Sequence, residues 1–426
     1  MFVGLVSELP RPASALHLLF FLLTVWDCLF TVSAEFVGEQ FSASHVLVHC
    51  IPRPEISTGH SIYLNKARLA SVRPHQPSMR LLSSLSFLLV VRETYASWLD
   101  FGIPPSSETV DVRVFNVANG TVVNAANTLI SPILPGRESI AVPIFAFLVE
   151  HKRSRFMFDL GFRTDPLNFA PSVASLFTTG VIQLEEPFKG ITELLQDGGI
   201  PLDSIDAVIW SHSHFDHIGD MSKFPNTTEL IIGSETDTQT FPDFPNATLQ
   251  TSDLAGRQVT KIDFAAANLT FSGLKAIDYF GDGSFYLLNT PGHLPGHMTA
   301  LARVTPTSFI GLGGDTFHHV GEARPRPSVS EELPLSCASF RGGKDVHIDR
   351  LFLQLLAVSD QPNSFYADPV TSQVSLEKIA TFDADPDIWV LVAHDMSLRD
   401  VIPYYPAYSE RLESEQFEGE DSVELC

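Results

Sequence analysis

Apolar and polar positions fall into short runs through most of the chain after residue 105, and the runs read as strands. Residues 110–117 alternate, 143–149 are almost continuously apolar, and 155–160 form a third run stopped by Gly161. Residues 191–196 read as a short helix ended by Gly198-Gly199, with Pro201 beyond. Residues 207–210 (AVIW) have the pattern of a buried strand and run directly into Ser211-His212-Ser213-His214-Phe215-Asp216-His217. Further strands are expected at 229–232, 269–272, 284–288, 299–304, 308–312 and 388–392, and a helix at 376–382. No internal repeat is visible. Strands dominate, with helices inserted between pairs, which predicts the α+β class: two sheets packed together with helices outside.

Composition adds a boundary. Hydrophobic residues make up 44% of the 426, enough for a large core and too many for a disordered chain. The net charge is −23, yet residues 1–105 carry seven basic and seven acidic side chains, so the whole excess lies in 106–426. The shift coincides with Pro104-Pro105-Ser106-Ser107, a linker-like cluster. The sequence therefore divides into an N-terminal extension, 1–105, and a main domain, 106–426, which holds the candidate chemistry described below. So acidic a domain repels phosphate backbones, which excludes a nucleic-acid partner. Cys28, Cys50, Cys337 and Cys426 form no CxxC pair, which argues against a disulfide framework and a thiolate zinc site.

Within the extension, residues 13–34 contain an apolar stretch ending in Val32-Ser33-Ala34, the pattern of a cleaved export signal. Asp27 interrupts that stretch, and residues 81–91 are too few to cross a bilayer, so no permanent membrane span is expected. The rest of the extension is expected to be poorly ordered. Sequons at Asn119, Asn226, Asn246 and Asn268 fit a secretory route, whereas cleavage after Ala34 leaves three cysteines, an awkward number outside the cell. Localisation stays open between secretion or ER entry and the cytoplasm.

The chemistry sits at 212–217. Three imidazoles and a carboxylate within six residues suit Zn²⁺ or a similar divalent ion. His212 and His214 are two apart after a strand and project from one side of the turn. Asp216 and His217 follow as the chain bends into a helix and face the other side. One ion cannot comfortably take all four from so short a loop, whereas two neighbouring ions can. No G-x-S-x-G elbow or Gly-rich phosphate loop supports a serine hydrolase or an NTPase.

Over residues 110–400 the chain resembles the metallo-β-lactamase superfamily. The matching motifs are Arg155-Phe-Met-Phe-Asp159-Leu-Gly161, the SHSHFDH segment, Thr290-Pro-Gly-His293-Leu-Pro-Gly-His297, Gly314-Asp315 and Ala393-His394-Asp395. Their wording is most similar to the lactonase-like branch and its fungal relatives. The resemblance implies a four-layer αβ/βα sandwich with two divalent ions, most simply Zn²⁺, at one edge. It assigns His212, His214 and His293 to the first ion and Asp216, His217 and His394 to the second, with Asp315 bridging both. His297 is expected to orient a ligand, and Asp159 to hold the loops by hydrogen bonds. Lactonase relatives carry a Tyr three residues after the bridging Asp, where it steadies the substrate carbonyl; here that position is His318, which is expected to act as the donor instead.

The implied activity is hydrolysis of a small lactone or lactam by a bridging hydroxide, with Asp216 passing a proton to the leaving group, as in degradation of a xenobiotic or secondary metabolite. The alternative is a glyoxalase-II-like thioester hydrolase, which uses the same ligands but wants basic residues for an anionic carrier. Only Arg399 and Arg411 occur in 395–426, amid acidic neighbours. A non-catalytic binding protein on this fold would be expected to have lost a ligand, and all seven positions are filled.

Overall fold

The long hairpin near the start of the domain sets the first sheet. Strands β1 (Asp111–Val122) and β2 (Ile140–His151) pair antiparallel along their whole length, with a bulge between Asn116 and Ala118. β3 (Ser154–Phe158), β4 (Ile182–Leu184), β5 (Ala207–Ile209), β6 (Glu229–Gly233) and β7 (Val259–Ile262) complete seven strands in the order β7-β6-β5-β3-β2-β1-β4. β3, β5, β6 and β7 run parallel to one another. The second sheet has six strands in chain order: β8 (Leu269–Phe271), β9 (Leu274–Asp278), β10 (Phe285–Asn289), β11 (Met298–Arg303), β12 (Phe309–Leu312) and β13 (Ile388–Leu391). Its pairs are antiparallel except β12 and β13. The computed structural model describes residues 98–152, 154–324 and 356–407, and strand backbone at Cys28–Val37, Gln40–Cys50 and Phe87–Val90.

Side-chain alternation makes the layers. Along β2, Phe145, Phe147 and Val149 face the second sheet and meet Phe285, Leu287, Ala300 and Ile310. Ile144, Ala146 and Leu148 face the other way, toward helices α1 (Pro171–Thr178) and α2 (Ile191–Asp197). β2 is thus buried on both faces, which is why its sequence is a continuous apolar run. The outer face of the second sheet, through Tyr286, Leu288 and Val390, packs on Leu376, Ile379 and Ala380 of the helix Pro369–Asp383. Helix, sheet, sheet and helix stack in that order, as the resemblance implied.

Several elements differ from their sequence reading. The first strand runs on to Val122 through Asn119-Gly120, a pair that reads locally as a turn, because the pairing with β2 continues past the bulge. The last helix begins seven residues early, at Pro369. There the side chain of Asp368 accepts from Thr371 N at 3.1 Å and Pro369 takes the first helical position. β4, β7, β9 and α1 are too short or too mixed in pattern to stand out. Among the described residues no helix is long and apolar enough to cross a membrane. Residues 1–27, which hold the core of the expected export signal, lie outside the described residues.

Two compact units divide between Tyr95 and Ala96, ahead of the Pro104–Ser107 cluster where the charge shift occurs. In the first, Cys28–Val37, Gln40–Cys50 and Phe87–Val90 form an antiparallel three-stranded sheet. The reason residues 98–105 belong to the second is Arg303. Its guanidinium is fully buried and donates to the carbonyls of Gly283 (2.8 Å), Pro306 (2.7 Å) and Pro104 (2.6 Å). It also lies over the rings of Trp98 and Phe309. Removing Trp98 or Pro104 strips partners from a buried charge, which costs about 3–5 kcal/mol. Trp98→Ala in the full chain is therefore expected to lower stability by that order in urea unfolding. A chain starting at Ala96 should unfold at a higher urea concentration than one starting at Ser106; equal midpoints would contradict this packing.

Candidate metal centre

The strands end where the polar residues begin. Asp159 follows β3, His212 to His217 follow β5, His293 follows β10, Asp315 follows β12, and His394 follows β13. Parallel pairing brings these C-terminal ends to one edge of the sandwich. Phe156 of β3 stands beside Ala207 of β5, and Leu312 of β12 beside Leu391 of β13. Gly313 N then donates to Leu391 O (2.7 Å) and Ala393 N to Gly314 O (3.0 Å), fixing Asp315 next to His394. Gly314 has φ +53°, and a Cβ there would stand 2.8 Å from Ser211 Cβ, so only glycine lets this turn close over the histidine loop.

Asp159 anchors that loop. It is 1% exposed with φ +59°, a left-handed conformation rare for a non-glycine residue. Its carboxylate accepts from Ser211 N, Ser211 Oγ and His217 Nδ1, each at 2.7 Å. With its Nδ1–H committed to Asp159, His217 turns Nε2 inward, the arrangement in which a carboxylate orients a metal-binding imidazole. His394 is set likewise, donating from Nδ1 to Pro143 O at 2.9 Å. His297 meets the expected ligand Asp315 through its backbone: its Nε2 accepts from Asp315 N at 3.1 Å and so holds the central carboxylate.

All seven residues expected to bind metal converge, in two sets. In the first, His212 Nε2, His214 Nδ1 and His293 Nε2 lie 2.9–3.1 Å apart, and Asp315 Oδ2 is 3.6 Å from His212 and 3.3 Å from His293. Four ligands bound to zinc at 2.0–2.1 Å form a tetrahedron with edges of roughly 3.3 Å. In the second, Asp315 Oδ1 is 3.1 Å from His217 Nε2 and 3.2 Å from His394 Nε2, and Asp216 Oδ2 is 3.4 Å from His394 Nε2. His217 Nε2 and Asp315 Oδ1 are buried without a hydrogen-bond partner. Two buried polar atoms 3.1 Å apart that make no hydrogen bond fit a cation shared between them, a proton or a metal ion.

The electrostatics say the same. Burial pushes His212 and His293 well below the ordinary imidazole value and His214 down to about 4, so all three offer neutral lone pairs. Burial also opposes charge on His217 and His394, but Asp315 leads the carboxylates that outweigh it. His217 is held well above its ordinary value, and His394 is pushed up to about 10. Burial works against ionised Asp216 as well, yet His217 and His394 hold it down at about 2. Protons on the second set occupy the place a divalent ion would take on binding.

His318 lies beside this cluster, its Nε2 3.1 Å from Asp315 Oδ2. It lines a cleft, partly open to solvent, with His214, Asp216, Asp315 and His394 on the floor. The walls are apolar, from Val122, Leu129, Ile144, Phe162, Phe215 and Phe365. Phe365, Tyr366 and Glu322 were not legible as site residues. They lie outside every motif, and only the fold brings them near; Tyr366 Oη is 2.6 Å from His318 Nδ1.

Known sequences agree with this architecture. The pattern of the metallo-beta-lactamase superfamily matches residues 140–311. The metallo-hydrolase mfmC of Annulohypoxylon moriforme is 40% identical over 321 residues, covering 72% of this chain and 83% of its own. The gamma-lactamase FDB1 of Fusarium pseudograminearum is 36% identical over 71% of this chain and 78% of its own. The N-acyl homoserine lactonase AttM of Agrobacterium fabrum is 25% identical over 46% of this chain and 72% of its own. With its four layers, its edge cluster and relatives this similar over most of their length, the chain belongs to the metallo-beta-lactamase superfamily.

Proposed function

We propose that this metal-dependent hydrolase of the lactamase and lactonase type opens a small, uncharged cyclic amide or cyclic ester. The observation that carries the reading is the pair of ligand sets sharing Asp315 on the floor of an apolar cleft. His212, His214 and His293 would hold one divalent ion and Asp216, His217 and His394 a second, with Asp315 within reach of both; zinc suits the donors. Bound there, the ions supply Lewis acidity that polarises a carbonyl and makes water nucleophilic near neutral pH.

The protein's residues do the rest. The apolar walls seat the ring and exclude bulk water. His318 Nε2–H points at Asp315 Oδ2 at 3.1 Å; with that oxygen committed to the ions it would turn to the carbonyl oxygen and donate there as negative charge develops. Asp216, ionised at rest, takes the proton of the attacking water on a carboxylate oxygen. It returns that proton to the ring nitrogen or oxygen as the bond from the carbonyl carbon breaks. Among the described residues that line the cleft none is Lys or Arg, so an anionic thiol carrier meets no counter-charge there. This favours the lactam or lactone over the thioester. The fungal gamma-lactamase relative supports the same choice.

Two outcomes test the reading. Elemental analysis of the purified protein should find about two divalent ions per chain, and Asp315→Ala combined with His214→Ala should abolish that content. Metal retained by the double variant would refute the ligand assignment. On a panel of lactams, lactones, acyl-glutathione thioesters and aryl phosphates, a lactam or lactone should be turned over fastest. A thioester faster by more than about tenfold, or roughly 1.4 kcal/mol in barrier, would replace the substrate while leaving the metal centre standing.

A further inference from the structure

Behind His318 stand two buried groups that the hydrolytic reading leaves unused. Tyr366 is 4% exposed, and Glu322 has no exposed surface at all. The Tyr366 hydroxyl lies 2.6 Å from His318 Nδ1 and 3.4 Å from Glu322 Oε1. The other carboxylate oxygen of Glu322 accepts from the backbone N–H of His318 (2.7 Å) and of His319 (2.8 Å). Both the backbone and the ring of His318 are therefore gripped from the side away from the cleft.

The hydrogen bonds fix the tautomer. His318 Nε2 faces Asp315 Oδ2, and an ionised carboxylate only accepts, so Nε2 carries the proton. Nδ1 is then a bare acceptor, and the Tyr366 O–H donates to it. The phenol is itself held rigidly. Tyr366 N donates to Ser364 Oγ at 3.0 Å, Ala367 N to His293 O at 2.8 Å, and Asp368 N to Gly292 O at 2.9 Å. These bonds tie the loop that carries Tyr366 to the loop that carries His293, and the two rings meet edge to face at 4.9 Å. His318 lines the cleft and Tyr366 does not, so Tyr366 can act on a substrate only through the imidazole.

We propose that Tyr366 is a positioning residue for hydrolysis, pinning the His318 ring in the Nε2–H form so that its donor faces the substrate carbonyl. The imidazole sits at the cleft, and a phenol from 48 residues further along supports it from behind. Without the hydroxyl only the Asp315 contact opposes turnover of the ring or a shift of its proton to Nδ1, and either change withdraws the donor. The inference rests on the lactam or lactone reading above, in which His318 meets the substrate.

The test uses the full-length metal-loaded protein, the best cyclic substrate of the panel, and four forms: wild type, Tyr366→Phe, His318→Phe and the double variant. Tyr366→Phe keeps the ring and removes only the hydroxyl. It should lower kcat about tenfold with KM within about twofold and metal content unchanged. The double variant should be no slower than His318→Phe alone, because residues that act through one another are non-additive. Multiplying losses, full turnover by Tyr366→Phe, or loss of metal would each overturn the proposal. A readout independent of turnover is the ¹⁵N NMR signature of His318 in metal-free protein. Wild type should show a protonated Nε2 and an unprotonated Nδ1, and Tyr366→Phe an averaged pair. If no cyclic substrate reacts while this signature shifts as expected, the hydrolytic reading fails and the positioning stands. An unchanged signature overturns the positioning itself.

Discussion

A carboxylate buried at the meeting edge of two sheets is the constraint on which the site depends. Asp315 is 2% exposed and has histidine nitrogens within 3.6 Å on both of its oxygens. Burying that much polar surface is unfavourable unless a cation repays the desolvation, because an unpaired buried charge costs several kcal/mol. The remainder of the architecture follows from keeping this group in place. Gly314 permits the turn, His297 holds the backbone N–H, and parallel pairing of β12 with β13 sets His394 alongside.

The rigid sandwich accounts for how ligands from four loops, with Asp159 supporting them from a fifth, meet with separations near 3 Å. The sheets pack through a continuous apolar layer, so the C-terminal ends of β3, β5, β10, β12 and β13 share one edge and cannot drift independently. Asp159 extends this order to the histidine loop. It accepts left-handed backbone strain in exchange for three hydrogen bonds that set Ser211 and His217. Supported ligands of this kind lose little entropy on binding an ion, which is what a preorganised centre requires.

What could be read from the sequence followed the range of the interactions. His212, His214, Asp216 and His217 are legible because their geometry is local, spanning a strand end and the first turn of a helix. The long apolar strand β2 is legible for the same reason. Glu322 and Tyr366 are not, since one caps a four-residue helix and the other sits in a loop with no periodic signal. Arg303 reads as an ordinary charged strand residue, yet it is fully buried and ties residues 98–104 to the domain. The charge shift at residue 105 marks a change in surface composition. The packing boundary lies earlier, at Ala96, because Trp98 and Ile103 are core residues.

The central claim is that two cations share Asp315, and X-ray absorption at the metal edge of the purified protein tests it most directly. The account predicts a first shell of nitrogen and oxygen at about 2.0–2.1 Å, rich in imidazole scattering, with a metal–metal vector of about 3.5–4 Å. A single-metal spectrum without that vector, or a shell containing sulfur, would contradict it.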